Sequence, residues 1–223
     1  MQIAELSTTN QTGKHGPLKG KCCVKPGSHI KGTYFLGGAG LNGLYIPKLI
    51  EAFHKAGIKS AIHLDREKWS AGQNIDATVG VFFGREYDPR FPMLLRAYPN
   101  SHKQFNLIGY SYGSLIAAQL AVKYARHGSI VNYLVLIGSP ISQYFLNLVK
   151  NMKTIKKVIV INLDKYGDPI YAGMDTSELI TGSVTLINQM VEREGHFYYA
   201  KKGTKGNERR KALAENLYKS GLR

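Results

Sequence analysis

One serine in this chain is framed by glycines at a spacing that suits nucleophilic chemistry. Gly109, Ser111 and Gly113 form the pattern Gly-x-Ser-x-Gly, with a tyrosine at each intervening position. A serine hydroxyl attacks a carbonyl carbon efficiently only when a neighbouring base removes its proton. The pattern therefore predicts acyl transfer through a serine nucleophile, provided that the fold brings a base within reach.

The segments on either side of Ser111 favour a sharp strand-to-helix turn. The apolar run 105–108 leads directly into the motif, and residues 114–126 lead out of it with helical spacing and many small side chains. At such a turn the serine is held in strained backbone angles with its hydroxyl clear of the sheet, and side chains at positions 109 and 113 would collide with their neighbours. The first N–H groups of the following helix favour an oxyanion. The alternative is an ordinary glycine–serine turn.

Apolar runs alternate with helical patterns along most of the chain. Runs 131–137 and 158–163 are apolar except for one asparagine each, which is typical of strands buried on both faces of a sheet. Strands that alternate with helices predict right-handed crossovers and a mostly parallel sheet with helices on both faces. The predicted strands are 33–36, 58–64, 105–108, 131–137, 158–163 and 184–187, and the predicted helices are 47–56, 114–126 and 208–220. Residues 66–104 fit less well and predict a helix with irregular loops.

The serine motif and the order of elements resemble the α/β-hydrolase superfamily, specifically its serine esterases and lipases. The resemblance covers about residues 32–200 in element order, while the likeness of motifs is confined to four short segments. It implies an α/β-hydrolase fold, with a mostly parallel central sheet, helices on both faces and a minimal cap. We expect a polar lead-in over residues 1–30 and a single such domain over residues 31–223.

The resemblance also implies a catalytic triad. In that family the nucleophile is followed along the chain by an acid and then by a histidine. This order selects His196 as the base, because it lies beyond the last predicted strands and stands in a Gly-His loop followed by aromatic residues. Asp168, in a Gly-Asp-Pro turn, resembles the family's acid and would hold His196 in the correct tautomer. Asp164 is the alternative acid.

An oxyanion hole is implied in the same way, and it needs two backbone N–H groups. Tyr112, immediately after the nucleophile, would supply one. The second would come from the glycine-rich stretch 36–43, which looks like the family's His-Gly oxyanion loop with Gly37 where many members have histidine. Ala39 is the predicted donor, and the glycine on either side of it is the alternative.

Further features bear on the substrate and on cofactors. Gly38 and Tyr110 are predicted to contact the substrate, and the aromatic segment 69–91 is predicted to form a lid or a pocket wall. Serine-based acyl transfer needs no cofactor, and the sequence has no clustered His, Asp and Glu that argue for a metal. Cys22 and Cys23 are adjacent, which predicts no disulfide framework.

The composition points to an anionic partner. The 30 Lys and Arg against 15 Asp and Glu give a net charge of +15, and residues 200–223 hold eight Lys and Arg against two Glu. Basic surfaces are attracted to anionic bilayers. We therefore expect a lipase or phospholipase in peripheral contact with anionic membrane, similar to the basic lipase effectors that bacteria deliver into rivals. No motif predicts binding to nucleic acid.

Two other classes of protein fit the same features. One is a thioesterase or acyltransferase that uses the same residues on a carrier-bound acyl group, and the other is a non-catalytic basic binding module on the same fold. The polar first 28 residues and the lack of any run of about 18 apolar residues predict a chain without a signal peptide or a transmembrane helix. We expect it to be cytoplasmic or exported by a signal-independent route.

Overall fold

A five-stranded parallel sheet forms the centre of the molecule. The computed structural model describes residues 30–38, 45–64, 102–175, 177–178, 182 and 194–223. In these residues the strand order is β2-β1-β3-β4-β5. The strands are β1 (Gly32–Leu36), β2 (Ala61–Leu64), β3 (Phe105–Tyr110), β4 (Val131–Ile137) and β5 (Ile155–Ile161). The helices are α1 (Tyr45–Ala56), α2 (Tyr112–Arg126), α3 (Gln143–Asn151) and α4 (Gly203–Lys219), with 3₁₀ turns at Asp164–Tyr166 and Gly195–Ala200.

Strand β3 lies between β1 and β4 and ends directly before Ser111. Leu36 of β1 pairs with Gly109, and Ile137 of β4 pairs with Tyr110. Because all the strands are parallel, their carboxyl ends meet at one edge of the sheet, where binding sites of open α/β sheets form. The loops after β1, β3, β4 and β5 therefore converge around Ser111.

Helices cover both faces of this sheet. Helices α2 and α3 bury apolar residues such as Leu115 and Val149 against one face. Helices α1 and α4 bury residues such as Phe53, Leu213 and Leu217 against the other. Burying each such side chain contributes about 1.5–3 kcal/mol relative to leaving it exposed. The predicted parallel sheet with helices on both faces is confirmed.

Helix α3 is an element that the sequence analysis missed. Ser142 precedes it, and its hydroxyl accepts a hydrogen bond from the N–H of Phe145 at 3.1 Å. Phe145, Leu146 and Val149 are buried. A capping serine followed by apolar residues at this spacing is a signal for a short amphipathic helix, and it was present in the sequence.

The position of β5 in the sheet explains why the bounds and the burial predicted for one strand were wrong. The run 158–163 predicted a strand buried on both faces, but β5 begins three residues earlier, with Lys156 and Lys157 exposed and its later residues only half-buried. β5 ends the described sheet, so it has a neighbour on one side only in this part of the chain. Exposed lysines suit such an edge because they discourage pairing with another strand.

Several boundaries also differ from the predicted ones. Helix α1 begins at Tyr45, before Pro47, and α4 begins at Gly203, five residues before the predicted start. Strand β2 is shorter than predicted because Ile58 closes the turn after α1, its N–H donating to the carbonyl of Phe53 at 2.9 Å.

Three sequence predictions fall outside the described residues: the lead-in up to residue 29, the lid or pocket wall at 69–91 and the strand at 184–187. The helix and loops predicted for 66–104 are covered only from residue 102 onward. Within the described ranges, no helix is long and apolar enough to cross a lipid bilayer.

Candidate active site

Ser111 occupies a strained turn between β3 and α2. Its φ of 55° and ψ of −131° make it the only non-glycine residue with positive φ in the described part of the chain. Such a conformation costs about 1–3 kcal/mol and persists only when the surroundings enforce it. Here its N–H donates to the carbonyl of Ile137 at 2.8 Å, and its own carbonyl accepts the N–H of Ser114 at 2.9 Å.

The two glycines of the motif are required by close packing of main chains. A Cβ added to Gly109 would overlap the backbone of Gly113 and Ser114, at the start of α2. A Cβ added to Gly113 would overlap the carbonyls of Leu36 and Gly37, at the end of β1. The steric reason predicted from the sequence is confirmed, with one collision against the helix and the other against the neighbouring strand.

A chain of hydrogen bonds joins Ser111, His196 and Asp168. His196 Nε2 lies 2.6 Å from Ser111 Oγ, and His196 Nδ1 lies 2.8 Å from Asp168 Oδ2 and 3.0 Å from Oδ1. A carboxylate can only accept hydrogen bonds, so Nδ1 carries the imidazole proton and leaves Nε2 to accept the serine hydroxyl. This tautomer is the one that a general base toward serine needs.

Asp168 and His196 lie in tight turns, Asp168 after β5 and His196 before α4. The N–H of Asp168 donates to the carbonyl of Leu163 at 3.2 Å, and Asp168 Oδ1 accepts the N–H of Ile170 at 2.8 Å. His196 is the second residue of the 3₁₀ turn Gly195–Ala200. Both Asp168 and His196 are only 4% exposed, so water competes little for their hydrogen bonds.

Asp164, the alternative acid, lies apart from this chain of contacts. It is exposed at the start of the 3₁₀ turn Asp164–Tyr166, and its main-chain carbonyl accepts the N–H of Gly167 at 2.8 Å. Its geometry is that of a turn former. Of the two aspartates that the sequence left open, Asp168 is the one whose carboxylate contacts His196.

The predicted oxyanion donors are only partly within the described residues. Tyr112 is the first residue of α2, where the helix dipole favours negative charge. Ala39 lies outside the described residues. Gly38, which precedes it, lies against Ser111, because a Cβ on Gly38 would be 3.0 Å from the Cβ of Ser111. The N–H of Gly38 donates to the hydroxyl of Tyr45 at 3.4 Å.

Tyr110 does not lie where the sequence analysis expected it. It was predicted to contact the substrate, but its side chain is 1% exposed and packs in the core beside Tyr45 and His196. Its hydroxyl donates to the main-chain carbonyl of His196. Burial raises the pKa of Tyr110 well above its usual value, with smaller contributions from Tyr45 and Asp168, so the hydroxyl remains a donor. Tyr110 thus contacts the site from the core side.

Residues after β4 complete the site and were missed by the sequence analysis. A Cβ on Gly138, whose φ is 50°, would be 3.0 Å from Asp168 Oδ2 and 3.3 Å from His196 Cε1. The next residue, Ser139, shares a hydrogen bond of 2.7 Å with the hydroxyl of Ser114, which in turn donates to the carbonyl of Ser111. A glycine directly after the predicted strand 131–137 was the available signal.

An aromatic and ionic clamp ties the histidine loop to its surroundings. The rings of Tyr166 and Tyr198 stack with centroids 3.6 Å apart, and the Arg209 guanidinium lies 3.9 Å from the centroid of Tyr198. Arg209 also contacts Glu194 at 2.9 Å, and Lys201 pairs with the same carboxylate. Hydrogen bonds from Arg209 and Lys201 lower the pKa of Glu194 to about 2. The loop carrying His196 is thereby held to the Asp168 turn and to α4.

The fold and the serine turn together define the class of protein. A parallel sheet covered by helices on both faces, with a strained serine where the central strand meets its helix, is the α/β-hydrolase fold. Comparison with known proteins agrees, because the model of a family described as alpha/beta hydrolase matches residues 89–144. The matched segment contains β3, Ser111, α2 and β4 and supports a hydrolase.

The same comparisons found no curated protein and no solved structure that matches the chain. The described residues contain no group of three or more His, Cys, Asp or Glu that could hold a metal ion.

Proposed function

We propose that this protein is a serine hydrolase that cleaves carboxylic esters through an acyl-enzyme. The observation that carries the proposal is the continuous contact from Ser111 Oγ to His196 Nε2 at 2.6 Å and from His196 Nδ1 to Asp168 at 2.8 Å. Geometry within hydrogen-bond reach is the first requirement for a general base and its nucleophile.

Acylation follows from these contacts. His196 Nε2 takes the hydroxyl proton as Ser111 Oγ attacks the ester carbonyl, and Asp168 stabilises the imidazolium without accepting the proton. The carbonyl oxygen becomes negatively charged, and the N–H groups of Tyr112 and Ala39 are the donors that we assign to it. The imidazolium then protonates the leaving alcohol as the ester bond breaks.

Deacylation repeats the chemistry with water. His196 removes a proton from a water molecule, which attacks the acyl carbon of the Ser111 ester. The second tetrahedral intermediate uses the same two N–H donors, and its collapse returns the proton to Ser111 Oγ and releases the carboxylic acid.

The substrate class that we propose is membrane lipid, which makes the enzyme a lipase or phospholipase. The net charge of +15 supports this class, because each Lys or Arg near an anionic bilayer adds about 1 kcal/mol of attraction. The same charge supports peripheral contact with an anionic membrane.

The first experiment replaces the nucleophile. Ser111→Ala should lose turnover of p-nitrophenyl esters by roughly 10⁴-fold or more, with the fold intact by circular dichroism. Ser129→Ala is the control, since it also removes a serine hydroxyl, but Ser129 is buried between α2 and β4, at the opposite edge of the sheet from Ser111. Activity that survives Ser111→Ala would refute the proposal.

A substrate panel then separates the classes of function. Rates should be compared on p-nitrophenyl esters of graded chain length, acyl-thioesters and phospholipid vesicles with and without anionic lipid. Preference for vesicles supports the lipase, whereas preference for thioesters indicates a thioesterase or acyltransferase. No hydrolysis, with salt-dependent DNA binding, would indicate a basic binding module.

A further inference from the structure

The hydroxyl of Tyr110 is bonded to the segment that carries His196. It donates a hydrogen bond to the main-chain carbonyl of His196. His196 belongs to the 3₁₀ segment Gly195–Ala200, which is kinked at Phe197. One buried side-chain hydroxyl therefore holds the backbone of the histidine itself.

The ring of Tyr110 adds contacts to the same groups. It stacks on the His196 imidazole at an interplanar angle of 27° with centroids 6.0 Å apart, and it meets Tyr199 edge-on at 6.3 Å. On another side it meets Tyr45 edge-on at 5.9 Å, and Tyr45 accepts the N–H of Gly38 beside Ser111. Tyr110 thus contacts His196 directly and is linked to Gly38 through Tyr45.

The position of Tyr110 in the chain makes these contacts useful for catalysis. It is the last residue of β3 and immediately precedes Ser111, so the backbone that bears its ring also bears the nucleophile. Its pairing with Ile137 in β4 anchors that backbone in the sheet. Any movement of the histidine turn relative to Ser111 must therefore break or stretch a Tyr110 contact.

We propose that Tyr110 is a positioning residue that holds the His196 turn at hydrogen-bonding distance from Ser111. The inference rests on the proposed serine hydrolase function and adds to it the device that joins nucleophile and base. Gly195, with φ of 53°, begins the turn and gives its backbone a wide choice of conformations. The Tyr110 hydroxyl restricts that choice from the sheet side.

The test removes this hydroxyl and leaves the ring. Tyr110→Phe should lower kcat on p-nitrophenyl butyrate by about tenfold or more with little change in KM, because misplacing a catalytic group by a fraction of an ångström slows the reaction without affecting substrate binding. The downfield proton NMR signal of His196 Nδ1–H, bonded to Asp168, should broaden or disappear.

Tyr34→Phe is the matched control. Tyr34 is also 1% exposed, and its hydroxyl also donates to a main-chain carbonyl, that of Lys31 at 2.6 Å, but at the amino end of β1. This variant should lose stability comparably, as measured by urea unfolding, while kcat and the downfield signal stay unchanged. If Tyr110→Phe does not fold, Tyr110→Met, assayed well below its Tm, replaces it as the test variant.

The outcomes separate the two proposals. If Ser111→Ala abolishes activity but the folded Tyr110 variant matches Tyr34→Phe in kcat and retains the downfield signal, the positioning role is refuted and the serine hydrolase stands. If Ser111→Ala remains active, the proposed function itself fails. A kcat loss in the Tyr110 variant that is absent from Tyr34→Phe supports the inference.

Discussion

At the scale of single residues, the site depends on which carboxylate faces the histidine. Asp168 is buried, and its carboxylate accepts the N–H of Ile170 and contacts His196 Nδ1. The same carboxylate lies next to Gly138. Asp164, four residues earlier, is exposed. Two aspartates in one short loop therefore have different surroundings, and these surroundings predict different consequences of substitution.

Asp168→Asn should reduce kcat by about 10²–10⁴-fold, because an amide facing Nδ1 can stabilise the wrong tautomer and cannot stabilise the imidazolium. Asp164→Asn is the matched control and should change kcat by less than about twofold, since its side chain is exposed outside the hydrogen-bonded chain. Steady-state hydrolysis of p-nitrophenyl esters measures both. Equal losses in the two variants would contradict the assignment of the acid.

At the scale of elements, the end of β1 and the start of α2 approach so closely that only glycine fits between them. Gly113→Ala should lower the free energy of unfolding by about 1–3 kcal/mol, because its methyl group overlaps the carbonyls of Leu36 and Gly37. The displaced β1 loop should also reduce ester turnover. Urea denaturation and initial rates test the two effects.

Gly128→Ala provides the control for Gly113→Ala. Gly128 has φ of 83° but has nothing within 4 Å of an added Cβ, so alanine there costs backbone strain of about 1–2 kcal/mol without a collision. It lies at the end of α2 remote from Ser111 and should leave turnover unchanged. If Gly113→Ala also left turnover unchanged, the loop after β1 would not contribute to the reaction.

A second element-scale prediction concerns the clamp around Glu194. Its pKa is lowered from 4.5 to about 2 by Arg209 and Lys201, so the ionised carboxylate stabilises the fold above its ordinary pKa, and that contribution is lost as pH falls toward 2. The stability difference between wild type and Glu194→Gln should therefore shrink between pH 4.5 and 2.

Urea unfolding at stepped pH measures this difference. The effect should be modest and weaken with salt, because the carboxylate is partly exposed. Glu208→Gln, which removes an exposed carboxylate of α4, is the control and should show no such narrowing. A stability difference between wild type and Glu194→Gln that is constant over the whole pH range would contradict the stabilising role of the ionised Glu194 carboxylate.

At the scale of the whole molecule, exposed lysines lie near both edges of the sheet, and Ser111 lies at one of these edges. Lys153 and Lys156 are exposed near the amino end of β5, whereas Lys48 and Lys202 are exposed near the carboxyl edge, where Ser111 follows β3. With parallel strands, the two edges are about 20 Å apart along a seven-residue strand. A bilayer whose lipid is cleaved at Ser111 must therefore meet the carboxyl edge.

The double variant Lys48→Glu/Lys202→Glu should weaken co-sedimentation with anionic vesicles by at least about tenfold, since it removes two positive charges near the edge that carries Ser111 and adds two negative ones. Its turnover of a soluble ester should stay within about twofold of wild type. Lys153→Glu/Lys156→Glu makes the same charge change near the amino end of β5 and is the control. Vesicle binding lost only in this control would place the amino edge on the bilayer and contradict the prediction.

Much of the fold followed from local patterns, and the errors have physical causes. Strand 131–137 was predicted to the residue, because a strand between two neighbours in a covered sheet is mostly apolar, and Asn132 is the only polar residue in this one. Strand β5 was misplaced because an edge strand begins with lysines that interrupt the apolar signal. Helix α3 was missed although Ser142 and the apolar residues after it indicated it.

The residues of the site were likewise predictable from the sequence only in part. Chain order and motif named Ser111 and His196 and favoured Asp168, with Asp164 as the alternative acid. The structure brings Ser111, Asp168 and His196 into one chain of hydrogen bonds; their catalytic roles stay predictions. Tyr110 was misread because a residue beside a nucleophile can point to solvent or to the core, and only its surroundings decide which.

The linear order of residues determined the strand-to-helix turn at Ser111, the parallel sheet and the α/β-hydrolase class, because glycine spacing and strand–helix alternation act over short distances along the chain. Folding in three dimensions decided which aspartate meets His196, where Tyr110 points and which lysines lie near the edge that carries Ser111. These depend on contacts between segments up to 86 positions apart, such as that between Tyr110 and His196, and no local pattern encodes such contacts.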